Sequence, residues 1–316
     1  MTFKKCLARA SAVVALVASS GTALAVPFTL GNVFVSTGVG TVLEYTPTGT
    51  LVQTLSVGSS FITGGAFDAG GNFYVTRFAN NLVQKFDSNA TNLGTFGGGY
   101  STPESVVVDA SGNIYVGSLG GTIRKFTSGG GFLSASTPGR VDFMDLAANQ
   151  TTMFYGQEGG EIKRHNVATN TALPDFSTDV ENAFAMRLLG IGGLLVADGD
   201  DIERLNVAGA QVDSYDIAGA GTWFALNLDP DGTTFWGGTT DGLVAHFDIA
   251  TGSVLGSFHV TGTGGIWGLA IFGEITQGGG GGDGGGGGTV PEPASLALLG
   301  IALAGLGFAA RRRTKK

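Results

Sequence analysis

A period of about forty residues is the feature that most restricts how this chain can fold. Six copies of a strand–turn–strand pattern occur, and the clearest are GNFYVTRFANNLVQKFD and GNIYVGSLGGTIRKFT. Short β-branched and aromatic runs alternate with Gly, Asn and Asp, which is typical of antiparallel hairpins. The last large residues of the copies lie 41, 40, 39, 40 and 42 positions apart and are Tyr45, Phe86, Phe126, His165, Leu205 and Phe247. A period near forty with four strands per unit predicts a β-propeller.

The ends of the repeat region predict how the ring closes. The first copy lacks a preceding inner strand, whereas GIWGLAIFG at 265–273 follows the last copy and resembles the inner strands of other units. We therefore expect this segment to pair beside Asn32–Val35 and complete the first blade, which removes an exposed sheet edge. The expected fold is all-β: a six-bladed propeller over residues 26–275.

Two of the repeats resemble a known family. SVVVDASGNIYV at 105–116 and FDAGGNFYVTRFANNLVQKFD at 67–87 are similar to NHL-type repeats, as found in propellers of the gluconolactonase and streptogramin-lyase-like groups. The resemblance extends over about residues 32–273 and implies the propeller fold. It does not select an activity, because propellers serve as enzymes, scaffolds and binders.

The first 25 residues predict a secretory signal peptide. Lys4, Lys5 and Arg9 precede the apolar run ASAVVALVASS, and ALA at 23–25 is a small-residue cleavage site for signal peptidase. Cleavage would remove Cys6, the one cysteine of the chain. The mature protein is therefore expected to contain no disulfide and no cysteine metal ligand.

Charge and motif content exclude several function classes. Residues 26–275 carry nine Lys and Arg against 23 Asp and Glu, a net charge of −14. A negative potential repels phosphate backbones, so nucleic acid is not an expected partner. His165, His246 and His259 are scattered, and no nucleophile–base motif accompanies them. No residue is predicted to be catalytic.

The carboxyl-terminal region predicts a sorting signal. Residues 276–289 are glycine-rich and are expected to form a flexible linker. The apolar segment 294–310 is at the lower length limit for a membrane-spanning helix. The basic tail 311–316 would remain in the cytoplasm and leave the propeller on the other side of the membrane.

The order of these parts over residues 290–316 resembles the PEP-CTERM signal of exopolysaccharide-producing Gram-negative bacteria. The resemblance implies recognition by an exosortase, which cuts near the tripeptide after transient anchoring in the inner membrane. The protein would then reach the cell surface or the extracellular space. A permanent anchor with an incidental tripeptide is the alternative. The sorting residues are Pro291, Glu292, Pro293, Arg311, Arg312 and Arg313.

Segments that lead into the inner strands predict a binding surface at the channel mouth. In the second blade, the alignment of the inner strands predicts Thr63 at this position. Aromatic faces stack on sugar rings, and carboxylates such as Asp142 and Glu181 accept hydrogen bonds from hydroxyl groups. Extracellular polysaccharide is the expected partner, unless these rings pack between blades. The candidate ligand-binding residues are Glu104, Phe143, Phe184, Trp223, Phe224 and Trp267.

Two alternatives involve a metal ion. Asp198, Asp200 and Asp201 fall in one predicted loop and could bind Ca²⁺, or could form a solvated hairpin tip; no other cofactor is expected. The resemblance to gluconolactonase-like propellers implies a divalent metal at the channel mouth, where Glu104, Asp142 and Asn182 would lie on three successive blades. Two function classes therefore remain open: a non-enzymatic binding or structural module, and a metal-dependent lactonase-like hydrolase.

Overall fold

The computed structural model describes residues 25–58 and 61–274. Over these residues the chain forms 24 strands that pair into six antiparallel sheets of four strands each. The inner strand of each sheet contacts the inner strands of the sheets before and after it, and the last sheet contacts the first. The prediction of a six-bladed propeller is confirmed.

Each blade has the same order from its inner to its outer strand. The blades, with strands numbered in chain order, are blade 1, β24 (Ile266–Ile271), β1 (Val33–Thr37), β2 (Thr41–Tyr45) and β3 (Leu51–Ser56); blade 2, β4 (Ile62–Phe67), β5 (Phe73–Arg77), β6 (Leu82–Phe86) and β7 (Asn92–Phe96); blade 3, β8 (Pro103–Val108), β9 (Ile114–Ser118), β10 (Thr122–Phe126) and β11 (Phe132–Ser136); blade 4, β12 (Met144–Leu146), β13 (Thr152–Gln157), β14 (Glu161–Asn166) and β15 (Thr171–Ser177); blade 5, β16 (Ala185–Leu188), β17 (Leu194–Ala197), β18 (Ile202–Leu205) and β19 (Gln211–Tyr215); and blade 6, β20 (Trp223–Leu228), β21 (Thr234–Thr239), β22 (Leu243–Asp248) and β23 (Val254–His259).

The hairpin turns explain the recurring Gly-Asn pairs. In blade 2 the Asp68 carboxylate accepts hydrogen bonds from the backbone N–H groups of Gly70 and Asn72, both at 2.9 Å. Gly71 has a φ of 77°, a left-handed conformation that glycine adopts without a Cβ clash. Asp109 organises the corresponding turn of blade 3 in the same way. The residues of the turn therefore determine where the chain reverses direction between the inner strand and the second strand of the blade.

The hydrophobic core is divided among the contacts between blades. The described residues form six buried clusters, and each lies between two adjacent blades. The large residue that ends each repeat copy is buried in every blade, and Phe247, for example, stacks on Phe235 at 5.1 Å. The forty-residue period therefore reflects one recurrent packing position in the third strand.

Ring closure follows the predicted scheme. β24 pairs antiparallel with β1, and Val33 lies opposite Ile271. Ile266 and Ile271 are fully buried between blade 1 and blade 6. The sheet edge of β1 is thereby covered by a strand from the other end of the described chain.

A buried polar network also joins the inner strands. Arg187 of blade 5 pairs with Asp145 of blade 4 at 3.5 Å, and Asp145 accepts a hydrogen bond from the Leu188 N–H at 2.9 Å. Asn227 of blade 6 donates to the carboxylate of Glu274, which lies three residues after the end of β24. Because buried polar groups are costly when unpaired, this network favours one arrangement of the blades.

The predicted export segments fall outside the described residues. These are the signal peptide at 1–25 apart from Ala25, the linker at 276–289, and the sorting signal with its helix at 294–310. The one helix described is a 3₁₀ turn at Phe78–Asn80. Within the described ranges, no helix has the length and hydropathy needed to cross a membrane.

Candidate functional site

The starts of the inner strands meet at one rim of the ring. Every blade repeats the same up-and-down order outward from its inner strand, so all six inner strands begin on the same side. Four of them, β4, β8, β20 and β24, carry a register shift at this end. In three of these strands the displaced residue is one that the sequence predicted: Glu104 in blade 3, Phe224 in blade 6 and Trp267 in blade 1. Because a β-bulge re-aims a side chain, these shifts explain how three of the predicted residues reach the rim.

The aromatic side chains at this rim form a continuous cluster. Ring centroids lie 4.4 Å apart for Phe61 and Trp267, and 4.9 Å apart for Trp267 and Phe224. Phe224 also stacks on Phe184 at 4.9 Å and meets the edge of Phe143 at 6.1 Å. Since Phe143 of blade 4 reaches Phe224 of blade 6, the rings extend across the channel. We call the six side chains the aromatic floor: Phe61, Phe78, Phe143, Phe184, Phe224 and Trp267.

The aromatic floor is partly open to solvent. Phe224 is 6% exposed and lies at the centre of the cluster, whereas the other five rings are half-buried. Phe61 and Phe78 were not predicted from the sequence, because the alignment of inner strands placed Thr63 at the blade 2 position. Thr63 is instead fully buried and bonds to the Thr76 hydroxyl at 2.7 Å. An aromatic residue just before β4 was the available signal for Phe61.

Trp223 corrects the predicted set of ligand-binding residues. Its side chain is fully buried between blades 5 and 6, and its indole N–H donates to the Asp216 carboxylate at 2.8 Å. Successive residues of a strand face opposite sides. Phe224 therefore reaches the mouth, whereas Trp223 packs in the core.

Glu104 is the acidic group that blade 3 places at the rim. It is 4% exposed, and its Oε2 atom has no hydrogen-bond partner within the described part of the chain. Burial, which is the largest cause, and the nearby Asp142 and Glu158 carboxylates together raise its pKa from the ordinary 4.5 to about 8. Arg140 acts in the opposite direction. At neutral pH the Glu104 carboxyl is therefore protonated and can donate a hydrogen bond.

The other predicted mouth groups have different environments. Asp142 is paired with the Arg140 Nε at 2.7 Å and accepts the Glu158 backbone N–H at 2.7 Å. Glu181 is exposed, and its backbone N–H donates to Asp198 at 3.2 Å. Asn182, the third group of the lactonase-like arrangement, donates its backbone N–H to Asp198. The mouth carboxylates thus form no open group of three among the described residues.

Three carboxylates do come together on blade 5. Oxygen atoms of Asp198, Asp201 and Glu203 all lie within 4.8 Å of one another. Asp200, the remaining residue predicted for this loop, is exposed and outside the group. Glu203 was missed by the sequence analysis, although its spacing of two from Asp201 on a strand was a usable signal.

Two of the histidines have structural partners. The His246 ring stacks on Trp236 at 4.3 Å and bonds to the Asp229 carboxylate at 2.7 Å. His165 is buried and bonds to Asn170 at 3.0 Å. Neither contact involves the rim residues.

Glu104 makes the stability of the folded chain pH-dependent. A carboxyl whose pKa is raised on folding stabilises the protein below its ordinary pKa, and this contribution is lost as the pH rises from 4.5 to about 8. The full shift corresponds to about 5 kcal/mol. We expect Glu104→Gln to remove this loss, so that the variant becomes more stable than the wild-type protein at alkaline pH. Urea unfolding at acidic and alkaline pH measures the difference, and parallel pH profiles for both proteins would contradict it.

Comparison with known proteins gives two partial family matches. Residues 289–313 match the family described as the PEP-CTERM protein-sorting motif. Residues 95–126 match the family described as strictosidine synthase-like, N-terminal, and this stretch contains β8, β9 and β10. The chain therefore carries the sorting motif that its sequence predicted. Together, the fold and the motif define the class of an exported β-propeller protein.

Two solved structures share the fold. One is from the crystal structure of a nidogen/laminin complex, with a TM-score of 0.64, 16% identity, and coverage of 78% of this chain and 100% of that chain. The other is a protein of unknown function from Bacteroides caccae, with a TM-score of 0.64, 14% identity, and coverage of 77% and 99%. At these identities the likeness concerns the fold alone. No curated protein matches the chain.

Proposed function

We propose that this protein is a non-enzymatic binding module that an exosortase delivers to the cell surface or extracellular matrix. There the aromatic floor binds neutral exopolysaccharide. The observation that carries the proposal is one continuous aromatic cluster at the rim, in which half-buried rings from blades 1, 2, 4 and 5 surround the buried Phe224 of blade 6. Residues so distant in sequence share a surface only because the ring closes.

The chemistry of the floor suits a sugar ring. The C–H face of a pyranose is apolar and packs on an aromatic face, whereas its hydroxyl groups need polar partners at the edge. Glu104 supplies a buried carboxyl at the same rim, and its Oε2 atom has no hydrogen-bond partner among the described residues. Arg140 and Glu158, which are paired through the Arg140 guanidinium, add exposed polar groups near it.

The charge of the domain favours a neutral ligand. Residues 26–275 have a net charge of −14, which repels the carboxylates of uronic acids. Stacking on the floor does not need ligand charge. The affinity for neutral fragments should therefore exceed the affinity for acidic fragments. The difference between the two affinities should become smaller at high salt, because salt screens the repulsion.

The sorting motif supports the proposed location. The PEP-CTERM match at 289–313 implies an exosortase as a processing partner. The predicted signal peptide adds signal peptidase as a second partner. We propose that the chain is anchored transiently in the inner membrane and is then released with its propeller outside.

Titration calorimetry on the processed, secreted protein tests the binding activity. Neutral oligosaccharide fragments of the host exopolysaccharide should bind, and Trp267→Ala should weaken binding at least about tenfold, about 1.4 kcal/mol. Phe132→Ala is the matched control, because Phe132 is an exposed ring on β11 outside the floor. Equal affinity of wild-type protein and Trp267→Ala would contradict a role for the floor.

A lactone assay tests the alternative with the same protein. Turnover that requires an added divalent metal and is lost in Glu104→Gln would establish a hydrolase and reject the non-enzymatic proposal. Calorimetry measures glycan binding and the lactone assay measures turnover, so the two experiments test the two proposed functions separately.

A further inference from the structure

The turn that joins β6 to β7 contains the sequence NAT at 89–91. Asparagine, any residue but proline, then threonine is the acceptor pattern for an N-linked glycan in an exported protein. The chain contains one other such pattern, NQT at 149–151, in the turn between β12 and β13. The inner and third strands of a blade both run from the rim to the other side of the ring. Both turns therefore lie on the face opposite the aromatic floor.

The NAT turn is held by its backbone, and its asparagine side chain is accessible. The Asp87 carboxylate accepts the N–H groups of Asn89 at 2.9 Å and of Thr91 at 2.8 Å. Ala90 has a φ of 60° and packs in the core between blades 1 and 2. Asn89 is exposed, and its carboxamide makes no hydrogen bond to the described residues. The backbone of the turn is therefore anchored while the carboxamide remains open to another molecule.

The NQT turn holds its asparagine in a different way. The Asn149 Nδ2 atom donates to the Thr152 hydroxyl at 2.9 Å, and Oδ1 accepts the N–H groups of Thr151 and Thr152 at 3.0 and 2.9 Å. The Gln150 side chain also accepts the Ala110 N–H of blade 3 at 2.7 Å. Because Nδ2 is the atom that carries an N-linked glycan, Asn149 must lose these bonds before it can react.

The positions of the two turns in their blades give a second difference. The NAT turn joins a third strand to an outer strand and lies at the periphery of the propeller. The NQT turn joins an inner strand to a second strand and lies nearer the channel. An enzyme that modifies a folded chain reaches an exposed peripheral turn more easily than one among neighbouring blades. Both differences favour Asn89 as the acceptor.

We propose that Asn89 is an N-glycosylation site of the exported protein, an inference that rests on the export half of the proposed function. The donor is an oligosaccharide linked through pyrophosphate to a membrane lipid, and an oligosaccharyltransferase catalyses the transfer. Asn89 Nδ2 forms a bond to the anomeric carbon of the sugar, while the bond from that carbon to the pyrophosphate oxygen breaks. The lipid pyrophosphate leaves with the electron pair, and Nδ2 gives up one proton to a base of the transferase. No atom is oxidised or reduced.

A glycan on Asn89 lies beside an exposed sheet edge. Leu93 belongs to β7, the outer strand of blade 2, and is 52% exposed. An exposed outer strand with apolar side chains can pair with another chain, and a bulky hydrophilic glycan next to it opposes such pairing. Since the aromatic floor lies on the opposite face, the glycan leaves the proposed ligand-binding surface open.

Mass spectrometry of the intact protein and its peptides, secreted by its own host, tests the site. The wild-type protein should exceed the mass of its processed sequence by one oligosaccharide, attached to the peptide that contains Asn89. Asn89→Gln and Thr91→Val should both lose the added mass. Thr91→Ser should keep it, because serine preserves the acceptor pattern. Asn149→Gln is the matched control and should also keep it.

A variant with alanines at Pro291, Glu292 and Pro293 separates glycosylation from exosortase release. Its propeller still crosses the inner membrane, so the membrane-bound protein should carry the glycan although it is not released. Two results would overturn glycosylation of Asn89: wild-type protein outside the inner membrane with the mass of its sequence alone, or an added mass that persists in Asn89→Gln. Wild-type protein that never crosses the membrane would overturn the proposed export as well.

Discussion

A chain that ends at Gly262 is expected to lose cooperative unfolding. The truncation removes β24, which is the inner strand of blade 1 and pairs along β1 from Val33 to Thr37. It exposes the core between blades 1 and 6, and it removes the Glu274 partner of Asn227. Each large buried side chain lost from a core costs about 2–5 kcal/mol. Several such losses exceed the whole stability of a typical domain, about 5–15 kcal/mol.

Circular dichroism during urea unfolding measures this effect. A chain that ends after Glu274 is the matched control, because it retains β24 and should unfold in one cooperative transition. The full chain with Ile271→Ala gives an intermediate case, with an expected loss of about 2–5 kcal/mol for a fully buried side chain. A soluble, cooperatively unfolding chain that ends at Gly262 would show that β24 does not close the ring.

Replacement of Pro291, Glu292 and Pro293 by alanines is expected to abolish release from the membrane. The apolar segment and the arginines remain intact in this variant, so anchoring should persist while exosortase recognition is lost. Membrane fractionation and intact-mass spectrometry of the culture medium measure the outcome. The wild-type extracellular form should lack the basic tail at 311–316.

A control for the sorting variant changes the linker instead. Replacing Gly284–Gly286 by alanines alters three residues on the amino-terminal side of the motif, outside the segment matched at 289–313. This protein should be released normally. Secreted wild-type protein that still carries Arg311–Lys316 would rule out exosortase processing, and normal release of the alanine variant would do the same.

The architecture could be predicted from the sequence because each blade repeats the same pattern. One large residue in about forty positions occupies the same core position in each blade, and the first copy was the one unit that lacked an inner strand for GIWGLAIFG to complete. The alternation of residues along the strands was sufficient to predict both features. The prediction of closure succeeded because an incomplete first unit and a surplus last strand leave one antiparallel arrangement that covers the edge.

The site was less accessible to sequence reasoning because it depends on local register. Trp223 and Phe224 are adjacent and both aromatic, yet Trp223 packs in the core between blades 5 and 6 and Phe224 lies in the aromatic floor. Which of two successive residues faces the core depends on the register of β20. Phe78 lies on a 3₁₀ turn after β5 and contacts Phe61 at 5.6 Å. No pattern in the inner strands indicates that contact. Likewise, the loop DGDD suggested Asp200, whereas the hairpin geometry selects Glu203.

Tryptophan fluorescence tests the central claim most directly. Trp223 and Trp236 are buried in the core, whereas Trp267 is half-buried in the aromatic floor, so Trp267 is the indole that a ligand at the mouth can reach. A neutral exopolysaccharide fragment should shift the emission of the wild-type protein in a saturable way. Trp267→Phe should keep binding by calorimetry but lose the shift. An unchanged shift in Trp267→Phe, or no saturable response to neutral fragments in the wild-type protein, would contradict glycan binding at the aromatic floor.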